Sequence, residues 1–238
     1  MTKLPKLPVP TYTVTCPSGT KITFRPFLVK EEKLLMIAMQ TDDSETKLST
    51  IRTVLENCIT PYTAIDIEKL PLFDIEFLFL NLRARSIGEI VTLKYKCNES
   101  VSDANGVSKV CGVTSEYDVN LIDIHPTFAP NHEKVVPLTE DMGLTLRYPS
   151  FKSFGNLEKL ELSTEESFVF LAGCIESIYD KDTVYQTKDA SKEEMLEFVN
   201  NLNHQQIEKV HQFFQTMPKI EHTLAFACPK CKHVESIV

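Results

Sequence analysis

The sequence predicts an α+β fold of two similar lobes of β-hairpins and helices, joined by a zinc-ribbon-like four-cysteine site. Three observations predict it. A hairpin followed by helices and then by a strand ending in cysteine occurs twice along the chain. Short stretches of the two halves correspond in the same order: Gly19–Phe27 (GTKITFRPF) with Gly143–Phe151 (GLTLRYPSF), Cys58-Ile59 with Cys174-Ile175, and Tyr95-Lys96-Cys97 with Phe226-Ala227-Cys228. Each half also carries a cysteine pair, Cys97 with Cys111 and Cys228 with Cys231. Such self-similarity is the signature of an internal duplication. It divides the chain into an extended Pro-spaced arm over 1–11, an N-terminal α+β lobe over 12–122 and a C-terminal α+β lobe over 123–238.

The arm, Leu4-Pro5-Lys6-Leu7-Pro8-Val9-Pro10, favours polyproline-like extension because each ring fixes φ and removes a donor. Tyr12–Thr15 and Lys21–Phe24 flank Pro17-Ser18-Gly19 and read as a hairpin, closed by Pro26. Helices follow over Val29–Met39 and Glu45–Cys58, the second with Leu48, Ile51, Val54, Leu55 and Cys58 on one stripe. Thr60-Pro61 ends it. A third helix runs from Pro71, tolerated at a helix start, to Ser86, and its wide apolar face marks it as central and largely buried. Gly88 stops it, and a strand over Ile90–Lys96 leads to Cys97.

The second half repeats the plan. A hairpin over Val135–Tyr148 turns near Met142-Gly143, and a helix covers Ser150–Leu160. Ser163 with Glu166 offers a capping box for a helix over Glu165–Ser177. Ser191 with Glu194 caps a short helix to Asn200, and Asn203 starts another that reaches Met217 before Pro218 breaks it. A strand from Ile220 to Ala227 leads to Cys228.

Cys228-Pro229-Lys230-Cys231 is a tight knuckle of the kind that presents two thiolates to zinc. Cys97 and Cys111 read as a second knuckle with a hairpin inserted between its ligands, because Asn105-Gly106 is a strong two-residue turn. Zinc closed by four thiolates is structural, whereas a catalytic zinc keeps an open position. The expected cofactor is therefore one structural Zn²⁺ held by Cys97, Cys111, Cys228 and Cys231, on a pseudo-twofold axis between the lobes. The bland alternative is four ordinary core thiols. His233 is a spare donor two residues beyond Cys231, but strand alternation turns it to the surface.

Composition narrows the function. A net charge of -8 argues against binding nucleic acid, which demands a basic surface. No apolar leader is evident, and the longest apolar stretch, Phe168 to Ile175, is too short to span a bilayer. Seven cysteines without a secretory leader fit reduced thiols and metal, as in a cytosolic-type chain. Glycine is scarce, with seven residues, and no nucleophile elbow, phosphate loop or His-Glu-x-x-His occurs. His204 and His211 flank an apolar helix stripe, and His125 and His132 read as solvated loop residues of the connector. An enzyme is not expected.

Four blocks carry a family resemblance. They are the opening Leu-Pro-x-Leu-Pro-x-Pro-Thr-Tyr, Phe24-Arg25-Pro26-Phe27-Leu28-Val29-Lys30-Glu31-Glu32-Lys33, Arg83-Ala84-Arg85-Ser86-Ile87-Gly88-Glu89, and Phe213-Phe214-Gln215-Thr216-Met217-Pro218. In this order they resemble the baseplate hub assembly proteins of T-even-type contractile-tailed phages, over nearly the whole chain. The resemblance implies a chaperone-like assembly factor or minor structural component that helps build the central hub. Its partners would be phage baseplate hub or tail proteins, met in the host cytoplasm during assembly and in the virion tail baseplate. Arg25, Pro26, Phe27, Arg83 and Arg85, in two of these blocks, are the candidate partner-binding residues. Two other classes remain: a zinc-ribbon nucleic-acid-binding module, which net charge opposes, and a zinc hydrolase, which needs an open coordination position.

Overall fold

Three apolar clusters organise the chain, each formed where a hairpin meets its neighbours. The computed structural model describes residues 7–102, 106, 108–153 and 164–237. Leu7, before the first strand, is 86% exposed.

In the first cluster, β1 (Tyr12–Thr15) pairs antiparallel with β2 (Lys21–Phe24), and α1 (Val29–Ala38), α2 (Ser44–Ile59) and α3 (Leu72–Ile87) follow. All five stand within a residue of the boundaries read from the sequence. Strand alternation buries Ile22 and Phe24 while Lys21 faces water. They meet Val54, Leu55, Cys58 and Ile59 from α2, whose start is capped by the Asp43 side chain accepting from the Thr46 N–H. Asp74, fully buried in the first turn of α3, accepts the Ser18 N–H at 3.0 Å and the Ser18 hydroxyl. That contact pins the β1–β2 turn onto α3, and burial raises the Asp74 carboxyl above its ordinary value.

The second cluster rests on a four-stranded antiparallel sheet of order β10-β9-β8-β7. Its strands are β7 (Val135–Pro137), β8 (Gly143–Leu146), β9 (Ile175–Tyr179) and β10 (Val184–Gln186). The helices are α4 (Thr164–Cys174), α5 (Lys192–Asn200) and α6 (His204–Thr216). Ser191 with Glu194 and Asn203 with Gln206 form complete capping boxes. The helix expected over Glu165–Ser177 stops at Cys174, because Ile175 to Ser177 join β9 and pair with β8. β-branched Ile175 and Ile178 suit that ladder better than a helix. Residues 151–153 are helical, while the rest of the helix expected to Leu160, and Ser163 of the expected capping box, lie outside the described residues.

The third cluster joins two ribbons. β3 (Ile90–Lys96) pairs with β6 (Thr114–Asn120), and β11 (Leu224–Ala227) pairs with β12 (Val234–Ile237). β4 (Ser100–Ser102) and β5 (Ser108–Val110) form the hairpin inserted between Cys97 and Cys111. The strand expected from Ile220 begins only at Leu224, and just before it Lys219 bridges to Thr127 instead.

The first two clusters are tied together. Pro71 bridges to Ser150, and Phe151, which follows β8 in sequence, is buried in the first cluster with the Arg52 guanidinium 5.6 Å from its ring centre. In the other direction Phe73 of α3 meets Tyr148 edge-on at 4.9 Å.

Two backbone bonds recur at matching places. Arg25, just after β2, donates its N–H to the Cys58 carbonyl at the end of α2 at 3.0 Å, and Arg147, just after β8, donates to the Cys174 carbonyl at the end of α4 at 2.8 Å. These bonds set Arg25 against Arg147, whereas aligning Gly19 with Gly143 sets it against Pro149. Beyond them the halves diverge. Ser177 of β9 pairs with Thr145 of β8, but in the first half the Thr63 hydroxyl alone bonds the Thr23 N–H and carbonyl, at 2.9 and 3.0 Å.

Candidate metal centre

The two cysteine pairs stand at the ends of ribbons with one shared pattern of hydrogen bonds. The Cys97 N–H bonds the Val113 carbonyl at 2.9 Å, and the Gly112 N–H returns to the Cys97 carbonyl at 3.0 Å. The Cys228 N–H bonds the His233 carbonyl at 2.9 Å, and the Lys232 N–H returns to the Cys228 carbonyl at 3.0 Å. Cys97 thus corresponds to Cys228, and Cys111 to Cys231. Each ribbon turns both of its thiols towards the other.

Beneath the thiols, fully buried Phe226 of β11 packs against Tyr95 at 4.4 Å and Tyr117 at 5.4 Å from the facing ribbon. The Tyr117 hydroxyl donates to the Ala227 carbonyl at 3.2 Å, and the Tyr95 hydroxyl to Glu235 at 2.8 Å. This aromatic step fixes the separation of the ribbons, and so the distance between the cysteine pairs.

All four sulfurs lie within 4.8 Å of one another. Cys97 to Cys231 and Cys111 to Cys228 are each 3.7 Å, so the first cysteine of each ribbon faces the second cysteine of the other. A metal with bonds to sulfur of ~2.3 Å, at the centre of a tetrahedron, spaces its ligands by roughly 3.8 Å. The four thiols could therefore hold one ion between them.

Their electrostatics point the same way. The Cys231 and Lys230 N–H groups, offset in part by burial, bring the Cys228 thiol down to about 6. At Cys97 the Glu99 N–H favours the thiolate, but burial and the three neighbouring thiols outweigh it and push the group up to about 12. Four thiols this close cannot all ionise unless a cation sits among them. Cys16, Cys58 and Cys174 lie elsewhere, with burial pushing them up to about 12, 11 and 12. They are core thiols.

His233 does not join the sulfurs; its Nδ1 lies 3.2 Å from Glu99. His132, expected as a solvated loop residue, is bound at both ring nitrogens, to Thr216 at 2.9 Å and to the Tyr148 hydroxyl at 3.0 Å, and stacks on Tyr148.

The five candidate partner-binding residues fall in different environments. Arg25 is buried, its guanidinium 2.9 Å from the fully buried Glu31 and 2.8 Å from the Pro26 carbonyl, and Pro26 is buried with it. An internal ion pair occupies the Arg25 charge. Arg85 pairs with Glu89 at 2.5 Å and covers the Tyr12 ring at 5.0 Å. Phe27 and Arg83 instead line one apolar groove between α1, α2 and α3. Sequence reasoning missed the other walls of that groove. Its signal was the run Leu34-Leu35-Met36-Ile37-Ala38-Met39, too apolar for a helix that buries only Glu31 and Ala38.

No helix among the described residues is long and apolar enough to cross a membrane. No curated protein and no solved structure matches the chain significantly. Residues 9–238 match the family described as T4 bacteriophage base plate protein, a match that takes in both cysteine ribbons and all three apolar clusters. The chain belongs to that family of phage baseplate proteins.

Proposed function

We propose that this chain is a non-enzymatic assembly protein of the phage baseplate hub, a chaperone-like factor or minor component, whose two duplicated lobes are stapled by one structural zinc ion. Family membership supports the tail-building role, and the sequence blocks shared with hub assembly proteins refine it to the hub. The zinc reading is carried by the four converging thiols. Soft thiolates in a tetrahedron select zinc or iron–sulfur chemistry, and a single-ion cage of four cysteines from two knuckles suits zinc. With every ligand position supplied by the protein, water has no place on the metal, which favours a structural role over hydrolysis.

Duplication is supported by the paired bonds of Arg25 with Cys58 and of Arg147 with Cys174, and by the identical bonding of the two cysteine ribbons. The protein works in the host cytoplasm during assembly and reaches the virion tail baseplate with its partners. The test is co-expression with the hub and tail proteins of the same phage, using the full chain and a chain lacking residues 1–10, followed by pull-down and metal analysis. Retention of hub proteins, weakened in the truncated chain, together with about one zinc per chain is the expected result. A full chain that retains no tail protein refutes the assembly role, and iron in place of zinc refutes the assignment of the ion.

A further inference from the structure

We infer that the groove between α1, α2 and α3 is a docking site for an acidic amphipathic helix of a partner tail protein. This rests on the assembly role for the source of the partner and adds the surface and the chemistry that recognise it.

The groove holds about 400 Å³. It is lined by Leu35 and Met36 of α1, by Met39 at the C-cap of that helix, by Ile51 of α2, and by Phe79 and Ile87 of α3. The apolar surface continues out of it: Met39 is 81% exposed, Ile37 63% and Met36 60%. A helix with its apolar residues facing both core and solvent is unfinished as a monomer surface. Methionines suit such a surface, because their flexible thioethers adapt to the anchor they receive. A groove between helices accepts apolar anchors spaced by helical turns.

Charge selects the occupant. Lys47 and Arg83 line it, and among the described residues neither forms an ion pair, Arg83 donating only to the Gly88 carbonyl at 3.3 Å; Glu32 is the one carboxylate among the lining residues. In a chain of net charge -8 this is a locally positive apolar site. It complements an apolar stripe flanked by Asp or Glu. The chain's own arm is no match, since residues 1–11 carry Lys3 and Lys6 and no carboxylate.

The test uses fluorescent 20-residue peptides tiled across the hub and tail proteins of the same phage, titrated with the full chain by fluorescence polarisation. Binding should be confined to peptides with an apolar helical stripe beside carboxylates. Met36→Asp combined with Met39→Asp should weaken it by at least about tenfold, and Arg83→Glu should weaken it severalfold and flatten its salt dependence. Unchanged helix content and metal content in these variants establish that the fold is intact. Binding by no peptide, by basic peptides alone, or equally by the double variant overturns the inference. So does self-association of the chain that Met39→Asp abolishes, which assigns the groove to a second copy. If the double variant still retains hub proteins in the pull-down, the groove assignment falls and the assembly role stands; if the full chain retains none, the assembly role itself falls.

Discussion

Gly112 and Lys232 occupy the same corner of two different ribbons, Gly112 donating its N–H to the Cys97 carbonyl and Lys232 to the Cys228 carbonyl, each at 3.0 Å. Both have left-handed backbones, with φ of 68° and 63°. Glycine adopts that conformation freely, whereas a side chain costs ~1–2 kcal/mol there. Lys232→Gly should therefore stabilise the protein by about 1 kcal/mol, and Gly112→Ala should destabilise it by a similar amount. Denaturant titration of the metal-loaded protein measures both.

Cys228→Ser should reduce bound zinc from about one per chain and lower the melting temperature. Structural zinc contributes ~10–16 kcal/mol in small zinc domains, and loss of one ligand should remove several of these. Cys174→Ser, outside the cluster, should keep its metal. Because thiolates must shed protons to bind, zinc release should grow as pH falls. Metal analysis with parallel melting curves decides it, and an unchanged melt in metal-free protein would sink the structural role.

Glu31 is fully buried against Arg25. Burial alone raises its carboxyl, but the Arg25 guanidinium, the Leu28 N–H and Lys30 together overrule burial and hold it below its ordinary 4.5. The folded state thus binds that proton less tightly than the unfolded chain. Its stabilisation is complete above 4.5 and disappears as pH falls through the folded value. Glu31→Gln should cost ~3–5 kcal/mol at neutral pH, by stranding a buried guanidinium. In urea unfolding the gap between variant and parent should narrow below pH 4.5.

His132 is held neutral by burial and by Lys134, below its ordinary 6.5. A folded value lower than the unfolded one gives stability that is present above 6.5 and drains away as pH falls further. Thermal melts from pH 7.5 to 5.5 should show this decline in the parent protein and a flatter profile in His132→Gln.

The first half was legible because its punctuation is local: Pro17-Ser18-Gly19, Pro26, Pro61, Pro71 and Gly88 mark the hairpin turn, the end of β2, the end of α2 and both ends of α3. The cysteine cluster was legible for a related reason, since thiols at strand ends have few other uses. β9 was missed because its signal is split. No helix breaker separates Cys174 from Ile175, and what makes Ile175–Tyr179 a strand is the waiting edge of β8, together with the turn in which Asp180 accepts the Asp182 and Thr183 N–H groups at 3.0 and 2.9 Å. The burial of Phe151 in the first cluster and the pairing of Arg25 with Glu31 are tertiary facts that no local pattern announces. A buried arginine and an exposed one look alike until their neighbours are placed.

The aromatic and sulfur contacts between the ribbons also set an order of events. Cys97 and Cys231 lie 134 positions apart, and between them the chain must build the sheet of β7 to β10 and bring α6 back alongside it. Contacts this distant in sequence bear the largest loop-closure cost and form late. Cys97 and Cys111 wait as an open half-cage while the rest of the molecule folds, and the cage closes only when the ribbon of β11 and β12 arrives. An ion held by these four thiols would in this sense record completed folding, and a chain without it would be marked as unfinished.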